Sequence, residues 1–225
     1  EKGIRFAQEQ IEGSCSILLL TDQGRIYAAR DRLGRTPVIL GRRDGSTAVT
    51  LETSAFPNLD YRKVRNLGPG EVVMLDESGI HECLPPLEQM QICAFLWVYY
   101  GYPSSDYEDI NVECVRNRCG AALARRDDAE VDFVAGIPDS GTAHAIGYAN
   151  ESRLCYRRPF VKYTPTWPRS FMPQDQSIRD LVARMKLIPI CDLINGRRML
   201  FCEDSIVRGT QLKDIIRRLY DMGAR

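Results

Sequence analysis

The sequence has no surplus charge, no long apolar run and no paired-cysteine motif, and each absence removes a class of function. Thirty basic residues balance thirty acidic ones, so no net field draws the chain to nucleic acid or to an anionic membrane. The longest apolar stretches, Ser16 to Leu20 and Ala94 to Tyr100, fall short of the roughly 20 residues needed to span a bilayer. Neither reads as a signal peptide. The eight cysteines form no C-x-x-C pair, and several lie in apolar runs, where cysteine acts as a small hydrophobe. A reducing, cytoplasmic setting is expected, with no nucleic-acid and no membrane partner. The two histidines, His81 and His144, stand alone and are expected to be structural. There is no internal repeat, no low-complexity tract and no initiator Met, and the chain stops where a helix has just reached Gly223 and another strand is expected. A piece of a longer protein is therefore expected.

What is present divides into two patterns. With 225 residues and 44% hydrophobic content, the chain is long enough for one large domain or two small ones. From Ser14 to Cys83 the apolar runs are short and β-rich: Ser16 to Thr21, Arg25 to Ala29, Pro37 to Gly41, Ala48 to Glu52, Glu71 to Asp76 and Ile80 to Cys83. Turn signals such as Asp44-Gly45 and Pro69-Gly70 separate them, which predicts antiparallel sheet. Leu84-Pro85-Pro86 breaks this pattern, because a residue before proline is pushed out of helical geometry. A domain boundary is expected there, giving residues 1–86 and 87–225.

Beyond it the period lengthens. Val112, Val115, Cys119, Ala122 and Leu123 recur at helical spacing, followed by an apolar run from Val131 to Ile137 and a helical pattern from Thr142 to Glu151. Leu154 to Lys162 reads as a strand, Ser177 to Lys186 as a helix, and Arg198 to Cys202 as a further strand. Strands alternating with helices predict a parallel α/β sheet, whose ligands gather outside the carboxyl ends of its strands.

The last of these strands feeds the densest chemistry in the chain, Glu203-Asp-Ser-Ile-Val-Arg-Gly-Thr210. Leu212, Ile215, Ile216 and Leu219 mark one face of the helix that follows. Its N-terminus offers unpaired N–H groups and the positive end of a dipole, which suits phosphate. Gly209 lets the backbone approach a ligand, and Ser205 and Thr210 add hydroxyl donors. Two carboxylates beside a phosphate would repel it unless they face ribose hydroxyls, a hydrated Mg²⁺ or a developing positive charge. The spacing is not that of a Walker A loop. An ordinary strand-to-helix turn with a polar N-cap is the plainer alternative.

Residues 203–210 resemble the phosphoribosyl pyrophosphate signature of the type I phosphoribosyltransferases, in the form found in the glutamine amidophosphoribosyltransferase family. Ile137-Pro-Asp-Ser-Gly-Thr142 is similar to that family's pyrophosphate loop, and the segment Cys93 to Ser105 resembles the opening of its transferase domain. Upstream, Glu12-Gly-Ser-Cys-Ser16, Ala29 to Gly41, Glu52-Thr-Ser and Pro69-Gly-Glu71 are similar to the later half of its glutaminase domain.

The resemblance implies a mixed α+β and α/β chain. It comprises the later half of an N-terminal-nucleophile glutaminase, an αββα sandwich, followed by a type I phosphoribosyltransferase parallel-sheet domain truncated at its C-terminus. It implies transfer of glutamine-derived ammonia to C1 of phosphoribosyl pyrophosphate in purine synthesis, with Mg²⁺ as cofactor and a homo-oligomeric assembly. By matched position, Glu203 and Asp204 are the catalytic pair. Asp139, Ser140, Gly141 and Thr142 face pyrophosphate, and Ser205, Ile206, Val207, Arg208, Gly209 and Thr210 hold the 5-phosphate. Lys162, Arg169, Arg184 and Lys186 are charge partners for the phosphates. Ser140, Glu203 and Asp204 are the candidate Mg²⁺ ligands, and Cys93 stands where some members ligate an iron-sulfur cluster.

The chain departs from the family in four places. No N-terminal Cys is present, so these residues cannot form a complete glutaminase site. Glu203 stands where the family carries Asp. The segment Tyr163 to Phe171 lacks the expected basic, glycine-containing pattern, and Tyr102 and Ser104 replace an Arg and an Asp. A non-catalytic paralogue that keeps the phosphoribosyl pyrophosphate pocket as a sensor or interaction module therefore stands beside the enzyme reading.

Overall fold

The computed structural model describes residues 2–162, 187–206 and 210–225, with the side chains of Thr210 and Gln211 excepted. The chain forms two compact units, Glu1–Glu113 and Cys114–Arg225.

The first unit begins with α1 (Lys2–Gln10), β1 (Ile17–Leu20) and β2 (Ile26–Ala29), followed by β3 (Ile39–Arg43), β4 (Ser46–Thr50) and the short α2 (Ala55–Asn58). It continues with β5 (Arg62–Asn66), β6 (Val72–Asp76) and β7 (Gly79–Leu84). Two antiparallel sheets result, ordered β1-β2-β6-β7 and β4-β3-β5. Their side chains alternate as a period of two requires. Ala28, Leu40, Val73 and Leu75 point into a shared core with Val38 and Leu67, against which Val49 and Ile80 pack. Ala29 and Val72, one residue out of step, face the other way and meet Ile4 of α1. On the face of β3 opposite Leu40, Phe56 of α2 packs so closely on Gly41 that a Cβ there would lie 2.5 Å from its ring. The layering is helix, sheet, sheet, with α2 as a small outer cover.

The strands from the sequence reading recur with shifted ends. Proline has no N–H to give a ladder, so the strand expected at Pro37 begins at Ile39.

The contact division falls later than the boundary expected at residue 86, because residues 87–113 fasten onto the first unit. Leu87 N–H donates to Pro69 O at 2.7 Å, and Gln91 N–H to Leu33 O at 2.7 Å. A π-helical turn (Leu96–Tyr100) leads to a hairpin of β8 (Asp106–Tyr107) and β9 (Ile110–Asn111). Its two turn residues, Glu108 and Asp109, both have positive φ, as a two-residue hairpin turn demands. Both are acidic and both are paired: Glu108 lies 2.8 Å from buried Arg30, and Asp109 lies 2.6 Å from Lys63.

The second unit carries most of α3 (Val112–Ala124), then β10 (Phe133–Gly136), α4 (Thr142–Ser152), β11 (Phe160–Lys162), β12 (Leu187–Pro189), α5 (Cys191–Ile194), β13 (Met199–Cys202) and α6 (Thr210–Asp221). Strands β10 and β13 pair in parallel, Phe133 opposite Met199 through Gly136 opposite Cys202. Along β13 the apolar residues sort to both faces, the mark of a sheet covered on both sides. Leu200 and Cys202 join Val134, Ala145 and Tyr148 beneath α4. Met199 and Phe201 join Ile137, Phe160, Ile215 and Leu219 beneath α6. The expected strand from Leu154 to Lys162 is shorter: Tyr156 makes one parallel bridge to Val134, and a separate strand starts after Pro159. That strand, β11, pairs antiparallel with β12, so the unit combines parallel and antiparallel pairing. The expected helix from Ser177 to Lys186 lies outside the described residues.

Candidate functional site

Two loops leave the carboxyl ends of the neighbouring parallel strands β10 and β13, and their closeness follows from the pairing register. The ladder continues past the named strands as Ile137 N–H donates to Cys202 O at 3.0 Å. Residues 138–141 then turn sharply into α4: Gly141 N–H donates to Ile137 O at 2.9 Å and Thr142 N–H to Asp139 O at 3.1 Å. Gly141 is pressed against the end of β13, where a Cβ would lie 2.2 Å from Cys202 O. No side chain fits there, so glycine is what allows this loop to touch the start of the acidic turn.

That contact brings together residues 63 positions apart, with Ser140 Oγ donating to Glu203 Oε1 at 3.5 Å. The same oxygen accepts Asp204 N–H at 3.1 Å, and Ser205 Oγ donates to Asp204 Oδ1 at 3.0 Å. Burial is the main cause that pushes the Glu203 carboxyl up to about 7, reinforced by its hydrogen bond with Asp204. At neutral pH this pair accommodates one negative charge more easily than two. A bound hydroxyl or cation would relieve the crowding.

Lys162, at the end of β11, reaches the same loop and pairs with Asp139 at 2.5 Å. Both side chains are exposed enough for an incoming anion to compete for the ammonium. Behind the loop, His144 on the first turn of α4 lies within 3.4 Å of Ser140 O through Nδ1. It belongs to no local motif; its signal is its place one helical turn after Ser140.

The structure thus gathers Asp139, Ser140, Gly141, Thr142, Lys162, Glu203, Asp204 and Ser205, while Ile206 is 71% exposed beyond them. Val207, Arg208, Gly209, Arg169, Arg184 and Lys186 lie outside the described residues, and Thr210 is described only as the first residue of α6. Cys93 belongs to the first unit. All eight cysteines are free thiols. Among the described residues no three His, Cys, Asp or Glu side chains gather as a metal cluster. The acidic pair and Ser140 nonetheless offer the hard oxygen donors that Mg²⁺ takes when substrate phosphates complete its shell. No helix among the described residues is long and apolar enough to cross a membrane.

No protein-family model matches the chain. Individual relatives do. Amidophosphoribosyltransferase of Pyrococcus horikoshii is 35% identical over 217 residues, covering 96% of this chain and 47% of that protein. The Mycobacterium tuberculosis protein of the same name is 36% identical over 207 residues, 92% of this chain and 39% of its own length. Among solved structures, the glutamine phosphoribosylpyrophosphate amidotransferase of B. subtilis complexed with ADP and GMP superposes with a TM-score of 0.88 at 29% identity. That match covers 99% of this chain and 49% of the other. The chain spans less than half the length of the relatives it matches. Over nearly all of its own length, this chain is similar to proteins named amidophosphoribosyltransferase.

Proposed function

We propose that the second unit binds phosphoribosyl pyrophosphate and transfers ammonia to its C1 carbon, and that residues 87–225 correspond to a type I phosphoribosyltransferase domain. The observation that carries this reading is the meeting of residues 138–142 with Glu203 and Asp204 at the carboxyl ends of adjacent parallel strands. Residues 1–86 correspond to part of an N-terminal-nucleophile glutaminase domain. The helix, sheet, sheet layering of the first unit supports that assignment.

In the reaction the nitrogen lone pair attacks C1, the C1–O bond to pyrophosphate breaks, and its electrons leave with pyrophosphate while the new amine loses a proton to solvent. The backbone N–H groups of Asp139 and Ser140, the Thr142 hydroxyl and the Lys162 ammonium receive the diphosphate, since the N–H groups of Gly141 and Thr142 are already bound to Ile137 O and Asp139 O. Lys162 then exchanges its pairing with Asp139 for the stronger charge of the ligand. Glu203 and Asp204 accept hydrogen bonds from the ribose hydroxyls and sit beside the carbon that becomes cationic. Residues 205–210, entering α6, hold the 5-phosphate at a helix N-terminus. Ser140, Glu203 and Asp204 would hold Mg²⁺, which supplies charge neutralisation for the leaving group. Fixed donors at the pyrophosphate end and carboxylates at the sugar end stabilise opposite charges as they separate.

The test is pyrophosphate release from phosphoribosyl pyrophosphate and ammonium at high pH with the purified chain. Release that requires Mg²⁺ is expected. Substrate binding with no release above background overturns the reading.

A further inference from the structure

The pyrophosphate loop is anchored mostly by its own backbone, but one carbonyl in it is held by a side chain outside the recognised motif. The Ser140–Gly141 peptide is gripped on its N–H side, where Gly141 donates to Ile137 O. Its carbonyl lies just outside the helical ladder, whose first bond runs from Ala145 N–H to Gly141 O at 3.0 Å. His144, one turn further along, brings Nδ1 to within 3.4 Å of that carbonyl. A carbonyl oxygen only accepts, so the contact requires the proton on Nδ1.

Three features suit His144 to a positioning role. It is only 6% exposed, so it acts from behind the loop and not on a ligand directly. Its backbone is fixed by helix α3: a Cβ on Gly120 would lie 1.8 Å from His144 O, and one on Gly147 would lie 1.9 Å from Asn117 O. The two helices therefore cross at backbone contact, and the imidazole is held on a rigid platform. Finally, the residue it holds is Ser140, whose Oγ reaches Glu203. A turn of that peptide would swing its carbonyl toward the diphosphate and move that link.

We propose that His144 is a positioning residue for the diphosphate subsite, holding the loop by the Ser140 carbonyl so that this acceptor is kept off the incoming anion and Ser140 stays in place beside the pyrophosphate. The inference rests on the function proposed above. It is tested by calorimetric titration of the whole chain with magnesium pyrophosphate and, separately, with ribose 5-phosphate.

His144→Ala is expected to weaken pyrophosphate by about five- to tenfold, the effect of one buried hydrogen bond, while leaving ribose 5-phosphate unchanged. His144→Asn, whose amide N–H falls near the position of Nδ1, is expected to restore most of the loss. A residue that merely fills the core would weaken both ligands together and would not be rescued by asparagine. Unchanged pyrophosphate affinity in H144A, or H144N as impaired as H144A, overturns the inference and leaves the proposed function standing. No binding of either ligand by the unchanged protein overturns both. Nitrogen-15 NMR of the ring adds a readout that needs no variant: Nδ1 protonated and shifting on addition of magnesium pyrophosphate supports the role, and a proton on Nε2 alone refutes it.

Discussion

Replacing Gly141 with alanine places a methyl group where the end of β13 already stands. The new carbon would lie 2.2 Å from Cys202 O and 2.9 Å from Ile137 N, both backbone atoms, whereas ordinary contact begins at 3.4 Å. No rotamer relieves the clash, so the loop must lift by about 1 Å. That displacement also disturbs the bond from Ile137 N–H to Cys202 O. Overpacking of this kind costs about 1–3 kcal/mol, and the lost hydrogen bond adds about 1 kcal/mol. Catalysis is expected to suffer more than stability, since a 1 Å misplacement costs on the order of 10²-fold. Urea unfolding and pyrophosphate release measure the two effects on one preparation. Gly3→Ala is the control: nothing lies within 4 Å of its added carbon, and on a helix the change stabilises by about 0.5–1 kcal/mol. A G141A protein with wild-type release and an unchanged urea midpoint would refute the claim that close backbone approach shapes the site.

Two further perturbations probe charge. Burial raises the Glu203 carboxyl to about 7, so its favourable contribution is complete below its unfolded value and is lost as pH rises through about 7. Thermal midpoints in Mg²⁺-free buffer between pH 4.5 and 8 are therefore expected to fall less steeply for Glu203→Gln than for the unchanged protein; equal slopes contradict this. In the first unit, buried Glu71 takes Arg65 through both oxygens, at 2.5 and 2.9 Å, and Gly68 N–H at 2.6 Å. Arg65→Ala leaves that carboxylate with its backbone donor but no cation, at a cost of about 3 kcal/mol in denaturant unfolding; a loss below about 1 kcal/mol shows that solvent replaces the guanidinium.

Much of this was legible in the sequence because it is local. Strand-to-helix transitions at Ile137 and Cys202 announce themselves by a change of apolar period, and the parallel pairing of β10 with β13 follows from alternation. Strand β5 was not legible: Arg62, Lys63, Arg65 and Asn66 surround a single apolar residue, Val64. It is a strand because β3 offers it a hydrogen-bonding edge, a tertiary cause that propensity does not carry. The division at Glu113 was hidden for a similar reason, since the prolines after Leu84 mark a break in secondary structure while the ion pairs of Glu108 and Asp109 keep the following segment on the first unit. His144 carries no local motif, and its contact with Ser140 O forms only when the loop folds back against α4.

The acidic turn and the loop of residues 138–141 meet although 63 residues separate Ser140 from Glu203. On a ribosome adding about 5–20 residues each second, the loop would wait roughly 3–13 seconds before the carboxylates that complete it are made. A nascent chain that ends before β13 lacks Glu203 and Asp204. Under the proposed function, affinity for phosphoribosyl pyrophosphate would report completed folding of the second unit, and the ligand would act as a selective stabiliser of finished molecules by mass action.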